Sequence, residues 1–332
     1  RPVRIEEWPQ AVGLDRAAFG DDDAPEWSDY WRDNAFEFDR SAGAFDGSQL
    51  VGQSMIYSLA MSVPGGNILP CGGVSWIAVR QTNRRQGIMR NMMRTQIDDI
   101  HERNEPLAAL WASEAPIYGQ FGFGVAGYTE SWEIDARRAV LRDDISSPGQ
   151  VQYVAHDEAV GLFDGPFEAA MRRYPGMVRR TPGFWTRQLR GNSPPGGLLK
   201  SHHAAYYGDS GVEGLLTYQI KDDWPDSNPD GIFELKDLIA VNDEAYAALW
   251  DFCISQDLIK KITCQRAADE PLRWMLKDRR AISARSSEEL YLRLVDVRSA
   301  LSATEYDAED AIVIEVVDDF CPWNAGKYLL DA

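Results

Sequence analysis

The amino-acid sequence predicts a mixed α/β (α+β) chain, built from a strand–loop–helix–strand theme that occurs twice and from a shorter closing segment. Three observations predict it. First, the apolar stretch "GGVSWIAV" (72–79) runs into a short loop and then into Ile88, Met92, Ile97 and Ile100 at helical spacing, with the apolar "LAALWASE" following Pro106. Second, "GIFELKDLIAV", "NDEAYAALWDFCIS" and "KKITCQR" repeat strand, helix and strand between residues 231 and 266. Third, "AIVIEVVD" and "GKYLL" near the end read as two strands of a hairpin.

In chain order, residues 43–62, "GAFDGSQLVGQSMIYSLAMS", read as strand, tight turn and strand, and "PGGN" (64–67) turns the chain again. The strand 72–79 ends at Val79, and the helix after it breaks at Glu105-Pro106. "APIYGQFGFG" is a glycine-rich turn with one short helical piece at most, and "YTESWEIDARR" is a further strand. A turn-rich gap at "SSPGQ" (146–150) is the first candidate boundary, and "GVEGLLTYQIK" opens the second run of strands. A third segment begins near Ser286 with "ELYLRLVDVRSAL". The chain starts at Arg1 without an initiating methionine and stops at Ala332 on a strand that lacks a visible partner, which reads as an incomplete domain at that end.

The 332 residues, 44% of them hydrophobic, suffice for two or three ordinary domains. No apolar run approaches the roughly 20 residues needed to span a bilayer, so no membrane association is expected. Four cysteines (Cys71, Cys253, Cys264, Cys321) form no CxxC pair and are too few for a disulfide framework, which predicts a reducing, cytoplasmic setting. The formal charge of −18 argues against nucleic-acid partners and suits a cationic small-molecule substrate.

Against that charge, "RRQGIMRNMM" (84–93) places two arginines and a glycine at the mouth of a helix. A helix N-terminus offers unpaired N–H groups and the positive end of its dipole; Gly87 lets an anion approach the backbone, and Arg84 and Arg85 add charge. The hexamer Arg84-x-x-Gly87-x-Met89 fits an anion cradle and equally a basic first turn on a surface helix. The second copy lacks the cradle: "NDEAYAAL" holds no glycine and puts Asp243 and Glu244 at the helix start, where acids suit the dipole and repel a pyrophosphate.

"VSWIAVRQTNRRQGIMRNMM" (74–93) followed by "EPLAALWASEAPIYGQFGFGVAGY" (105–128) resembles the enhanced intracellular survival (Eis) family of GNAT acetyltransferases. Met89 departs from the small residue usual at that point of the family's pyrophosphate loop. The resemblance implies two tandem GNAT acyltransferase domains followed by a sterol-carrier-protein-like domain, here partial, over residues 1–147, 148–285 and 286–332. It implies acetyl-CoA as co-substrate, no metal, a small-molecule amine acceptor and a homo-oligomer, a hexamer in the family. By position it puts pantetheine on the backbone of Ile77 and Val79, the phosphates beside Arg84, Arg85, Gln86, Gly87, Ile88, Met89 and Arg90, and the acetyl end near Ser113 and Glu114. The family's general acid falls on Tyr118, and its acceptor-lining residues fall on Phe19, Asp21 and Trp31.

The chemistry agrees with this placement. An amine that attacks a thioester expels a thiolate, and a phenol held nearby supplies the proton. The alternative reading of Tyr118 is a core aromatic in a glycine turn. No residue is assigned as base: His101, His156, His202 and His203 lie outside the motif, and the carboxyl terminus that serves the family's acceptor site is not in this sequence. Residues 21–39 hold eight acids against Arg32 alone, either a solvated face or the wall of a cleft for a polyamine or amino sugar. Asp23 and Glu26 fit a capping box with Pro25 in the first turn, and of Trp27 and Trp31, four apart, one is expected in the core. The expected activity is direct acetyl transfer from acetyl-CoA to an amine. The rival is a catalytically silent CoA- or lipid-binding regulator on the same fold.

Overall fold

A computed structural model describes residues 1–20, 25–146, 148–191 and 193–331, with the side chain of Asp226 left aside. The chain divides into two compact units that are discontinuous in sequence: Arg1–Ala126 with Tyr174–Gly183 and Glu289–Ala332, and Gly127–Arg173 with Phe184–Glu288.

The first unit opens with α1 (Trp8–Phe19) and α2 (Pro25–Asn34). Trp8, Ala11 and Leu14, each three residues on, give α1 its buried face, and Gly20 ends it in the left-handed conformation. Then come β1 (Ser41–Asp46), β2 (Gln49–Ser62), β3 (Ile68–Val79), α3 (Ile88–Glu102), β4 (Leu107–Trp111), α4 (Ala115–Tyr118) and β5 (Gly124–Val125). The sheet order is β1-β2-β3-β4, then the strand Leu290–Leu294, then β5; β3 and β4 run parallel and the other neighbours antiparallel. The parallel pair, with α3 as its crossover, is the strand–helix–strand unit that the sequence pattern predicts. One face of the sheet packs on α1 through Trp8, Leu14, Phe36, Met55 and Ala78; the other packs on α3 through Ile56, Val74, Met93, Ile97 and Ile100. Arg40, fully buried, donates to Asp99 (2.8 Å) and Glu105 (2.7 Å), which ties the start of β1 to α3 and to the turn before β4.

The second unit contains β6 (Tyr128–Asp135), β7 (Gln150–Val154), α5 (His156–Arg173), α6 (Pro182–Arg190, which begins at the junction), β8 (His202–Gly208), β9 (Gly211–Lys221), β10 (Gly231–Ala240), α7 (Asp243–Ile254), β11 (Ile259–Ala267), α8 (Leu272–Met275) and β12 (Ile282–Glu288). Its seven-stranded sheet has the order β12-β6-β11-β10-β9-β8-β7, with β10 and β11 parallel. Tyr206, Tyr218, Phe233 and Trp250 dominate its core.

The chain then returns to the first unit through β13 (Leu290–Leu294) and α9 (Val297–Ser302), and ends in the antiparallel hairpin β14 (Ala311–Val316) and β15 (Gly326–Asp331). The three expected stretches of sequence and the two spatial units are thus different divisions of the chain. β6, read as the last strand of the first stretch, lies in the second sheet, and β13, at the start of the third, lies in the first sheet.

Candidate active site

Between the C-terminal ends of β3 and β4 the sheet opens. The two strands pair only from Cys71–Leu107 to Gly73–Ala109. Past that point β3 carries one residue more than β2 between the Gln53–Ala78 and Met55–Ser75 pairs, and Trp76 takes φ 54°. A bulge of this kind bends its strand away from a neighbour. It leaves the backbone of residues 74–79 without β4 as a partner, an edge on which an amide-bearing chain can pair as an added strand.

β3 leads into a 3₁₀ turn, Gln81–Asn83, and then into the cationic loop. Arg85 (φ 64°) and Gly87 (φ 78°) both take left-handed backbone conformations. The first ladder bond of α3 runs from the Asn91 N–H to the Gly87 carbonyl at 3.0 Å, so the N–H groups of residues 88–90 precede the ladder and point out of the helix end. No side chain caps this terminus. A Cβ placed on Gly87 would meet no protein atom within 4 Å. The glycine is therefore needed for its φ and for access from outside, not for internal packing. Arg84 and Arg85 are exposed, and among the described residues neither forms an ion pair, in a chain whose acids outnumber its bases 52 to 34. Two guanidinium groups without ion pairs among the described residues stand beside three outward N–H groups, a cationic helix start open to solvent.

A cleft of about 550 Å³ runs from this cradle to Tyr118. Ile77, Val79, Arg84, Arg85, Gly87, Ile88, Met89, Arg90, Ser113 and Glu114 line it, together with Phe19. Gln86 sits in the loop, exposed, but is not on the wall. A second cleft of about 230 Å³ is lined by Asp15, Val74, Ser75, Trp76 and Trp111 and shares Phe19, Ile77, Ser113 and Tyr118 with the first. Tyr118 thus stands where two clefts meet. Its ring is buried and meets Phe123 edge-on at 6.3 Å. Burial raises its hydroxyl above the usual phenol range, the Glu114 charge adds to that, and Ser113 works the other way. The hydroxyl is therefore protonated at neutral pH and available as a donor.

The turn that presents Tyr118 is held from behind. Gly122 (φ 80°) leaves room for the Arg293 guanidinium, which donates to the Phe121 carbonyl and to both oxygens of Asp318 at 2.8 and 2.7 Å. Asp318 in turn accepts from the Cys321 N–H (2.8 Å) and from Asn324 (3.2 Å).

The other expected residues fall elsewhere. Trp31 stacks on Trp27 (6.2 Å) and packs against the core under α1, lining neither cleft. Trp27 is the buried member of that pair. Asp21 and Asp23 lie outside the described residues. His101 stacks on Trp323 at 4.1 Å, and His156, His202 and His203 belong to the second unit. Cys71 is buried, and burial pushes its thiol up to about 12, so it offers no thiolate. In the second unit the matching helix start is closed: the Asn242 side chain caps α7 by accepting from the Ala245 N–H at 2.8 Å, ahead of Asp243 and Glu244.

Comparison with known proteins fits this geometry. Acetyltransferase (GNAT) domain models match residues 1–126 and 176–294, and a sterol carrier protein domain model matches residues 297–332. An uncharacterized N-acetyltransferase of Streptomyces avermitilis is 35% identical over 99% of this chain and 81% of its own length. The N-acetyltransferase Eis of Mycobacterium tuberculosis is 31% identical over 94% of this chain and 78% of its own. This chain belongs to the Eis family of N-acetyltransferases. The crystal structure of Eis1 from Mycobacterium abscessus superposes with a TM-score of 0.86 at 30% identity, covering 100% of this chain and 82% of that one. As a GNAT enzyme of the Eis family, the chain uses acetyl-CoA as acyl donor, and the splayed edge of β3 and the open cradle suit its pantetheine and phosphates.

Among the cleft residues that the sequence reading does not single out are Asp15, Trp76 and Trp111. Asp15 lies on α1, which the sequence reading passes over. The three-residue spacing of Trp8, Ala11 and Leu14 before Gly20 is the signal that marks this helix.

Proposed function

We propose that this Eis-family enzyme transfers the acetyl group of acetyl-CoA directly to an amino group of a cationic small-molecule acceptor: an aminoglycoside, a polyamine or a lysine-like amine. The observation that carries the reading is Tyr118, buried and protonated at the meeting point of a large cationic-ended cleft and a small aromatic one. Acetyl-CoA supplies an activated acetyl thioester. In this reading the N–H and C=O groups of Ile77 and Val79 hold the pantetheine arm, and Arg84, Arg85 and the start of α3 (Gly87, Ile88, Met89, Arg90), with Gln86 in the same loop, hold the phosphates. Ser113 and Glu114 flank the acetyl end. The Tyr118 Oη–H keeps its proton until the thiolate departs and then gives it up. Phe19, Asp21 and Trp31 are carried as acceptor-side residues.

The same reading takes the second unit as a scaffold, because its capped, acidic helix start offers no anion site. It takes the chain as a cytoplasmic homo-oligomer, a hexamer by family, with 1–147, 148–285 and 286–332 as its evolutionary segments. No helix among the described residues is long and apolar enough to cross a membrane, and no group of three or more metal-ligating side chains occurs among them. The test is thiol release from acetyl-CoA with a panel of aminoglycosides, polyamines and lysine peptides. Release with at least one class is expected. A protein that binds acetyl-CoA and releases no thiol with any amine is a regulator instead.

A further inference from the structure

The turn that carries Tyr118 is fixed by residues that line neither cleft. Tyr118 ends α4, and a 3₁₀ turn (Gly119–Phe121) and Gly122 follow it. Phe121 lines the large cleft beside Tyr118, and the Phe123 N–H donates back to the Tyr118 carbonyl at 3.3 Å, so the place of the phenol follows the place of this turn. A short helical turn leaves its last carbonyls without a partner of its own. Here the Phe121 carbonyl accepts from the Arg293 guanidinium, a bond that joins positions 172 apart in sequence.

Arg293 is itself anchored. It stands on β13 next to Leu292, which pairs with Gly124 at the exit of the turn. Its side chain is buried, and its other terminal nitrogen donates to both oxygens of Asp318 at 2.8 and 2.7 Å. Burial alone would raise the Asp318 carboxyl, but the bonds from Arg293, the Cys321 N–H and Asn324 outweigh it and hold it below the usual carboxylate range, so both partners are charged. Two residues on, the Phe320 ring meets Phe121 edge-on at 5.3 Å and lies under the Arg94 guanidinium of α3 at 3.7 Å. One segment, 318–321, thus grips the turn at the Phe121 carbonyl, through Arg293, and at the Phe121 ring. That segment falls in the stretch 297–332 that the sterol carrier protein domain model matches. Arg293, Asp318 and Phe320 are absent from the walls of both clefts, so their effect on the reaction runs through the turn.

We propose that Arg293, anchored by Asp318, is a positioning residue for acetyl transfer: it fixes the turn 118–122 so that the Tyr118 hydroxyl stands at the departing sulfur, and it makes part of the sterol-carrier-like stretch a component of the catalytic site. The proposal rests on the reading of Tyr118 as general acid. Misplacing such a group by about 1 Å costs up to about 10²-fold in rate.

The experiment is a double-mutant cycle on the full chain. Thiol release is followed at saturating acetyl-CoA with neomycin, spermidine and a lysine-containing peptide together as acceptors, and the rate is expressed per acetyl-CoA site counted by calorimetry. Arg293→Met should lower the rate about tenfold with acetyl-CoA affinity unchanged. Asp318→Asn, which keeps the shape and the bond from the Cys321 N–H, should lower it about threefold. In the Tyr118→Phe background there is no proton to place, so Arg293→Met should change the rate by less than about twofold. The same factor in both backgrounds overturns the proposal, because a purely structural residue acts alike in each. Tyr118→Phe that is slow while Arg293→Met runs at the wild-type rate overturns the proposal alone. If Arg293→Met does not fold, Asp318→Asn takes its place in the cycle under the same criteria. Tyr118→Phe at the wild-type rate, or wild type that binds acetyl-CoA and releases no thiol, overturns the reading beneath and the proposal with it.

Discussion

A phenol with a raised pKa is a poor base and a dependable acid, and that asymmetry sets what Tyr118 can do. Burial and the neighbouring Glu114 charge hold its proton on through neutral pH. Tyr118→Phe removes the proton and keeps the ring that packs on Phe123. Loss of one general acid costs about 10²–10⁴ in rate; the lower end is expected, because water can also protonate a departing thiolate. Acetyl-CoA affinity measured by calorimetry should be unchanged, since the cradle lies at the other end of the cleft. A near wild-type kcat would make the tyrosine structural. Histidine offers a second test at the same scale. In the second unit the His203 ring is within 3.0 Å of His156 and 3.1 Å of the Thr217 hydroxyl, and burial, followed by its histidine neighbours, lowers it to about 4. A base whose folded pKa lies below its unfolded value of about 6.5 adds stability above that value, and loses it as pH falls from about 6.5 to about 4, where the unfolded chain takes up the proton first. The loss is on the order of 3 kcal/mol at about 1.4 kcal/mol per pH unit. Thermal midpoints should therefore fall more steeply between pH 6.5 and 4.5 in the wild type than in His203→Gln; equal slopes would contradict the assignment.

Two glycines at nearly the same φ separate what elements need from what ligands need. Gly87 (78°) faces open space and Gly122 (80°) faces the Arg293 guanidinium, which a Cβ would approach to 1.6 Å. Gly87→Ala should cost about 1 kcal/mol of stability from backbone strain alone. Gly122→Ala adds displacement of a buried guanidinium from its carboxylate, a loss of about 3–5 kcal/mol when such a pair is broken. Urea unfolding of the two variants checks the difference, and equal costs would show that Arg293 moves freely. Gly87→Glu should abolish acetyl-CoA binding in a folded protein, because a carboxylate then occupies the cradle; unchanged affinity by calorimetry would remove the cradle from the site. Both glycines are legible in the sequence as motif letters, but only the coordinates distinguish their reasons. The strands 49–62, 68–79 and 107–111 and the helix 88–102 are legible because alternation and helical spacing are local properties. α1 is passed over, because its local signal is short: the three-residue spacing of Trp8, Ala11 and Leu14 alone. The stretch 150–208, with β7, α5, α6 and β8, is passed over as well. α5 carries Pro166 in its interior, which breaks the pattern a helix is recognised by.

The pairing partner of a strand is a property of the whole molecule, and there the sequence is silent. β6 alternates buried and exposed residues in a way that suits either sheet, and nothing local tells that it pairs with β11 and β12 rather than with its predecessors. Likewise Leu290–Leu294 pairs with β4 across the 178 residues (112–289) of intervening chain, from Leu290 to Trp111 at one end and Leu294 to Leu107 at the other. The same scale decides how many acetyl-CoA molecules one chain holds. Each sheet contains a parallel pair joined through a helix, β3–α3–β4 in one and β10–α7–β11 in the other, so topology alone would allow two sites. The helix starts differ in every respect that an anion senses. α3 begins after a left-handed glycine, without a side-chain cap, between exposed arginines that form no ion pairs among the described residues. α7 begins with Asn242 seated on the Ala245 N–H; Asp243 and Glu244 follow, and Arg173 is already engaged by Asp243 at 2.6 Å and by the Val241 carbonyl at 2.9 Å. A pyrophosphate at α7 would displace a cap worth about 1 kcal/mol and face two carboxylates at the positive end of the dipole. Equilibrium dialysis should therefore give one acetyl-CoA per chain, and Arg84→Glu combined with Arg85→Glu should abolish that single class of site without exposing a second. A stoichiometry of two, or residual tight binding in the double variant, would place acetyl-CoA in the second unit and reverse its role from scaffold to active domain.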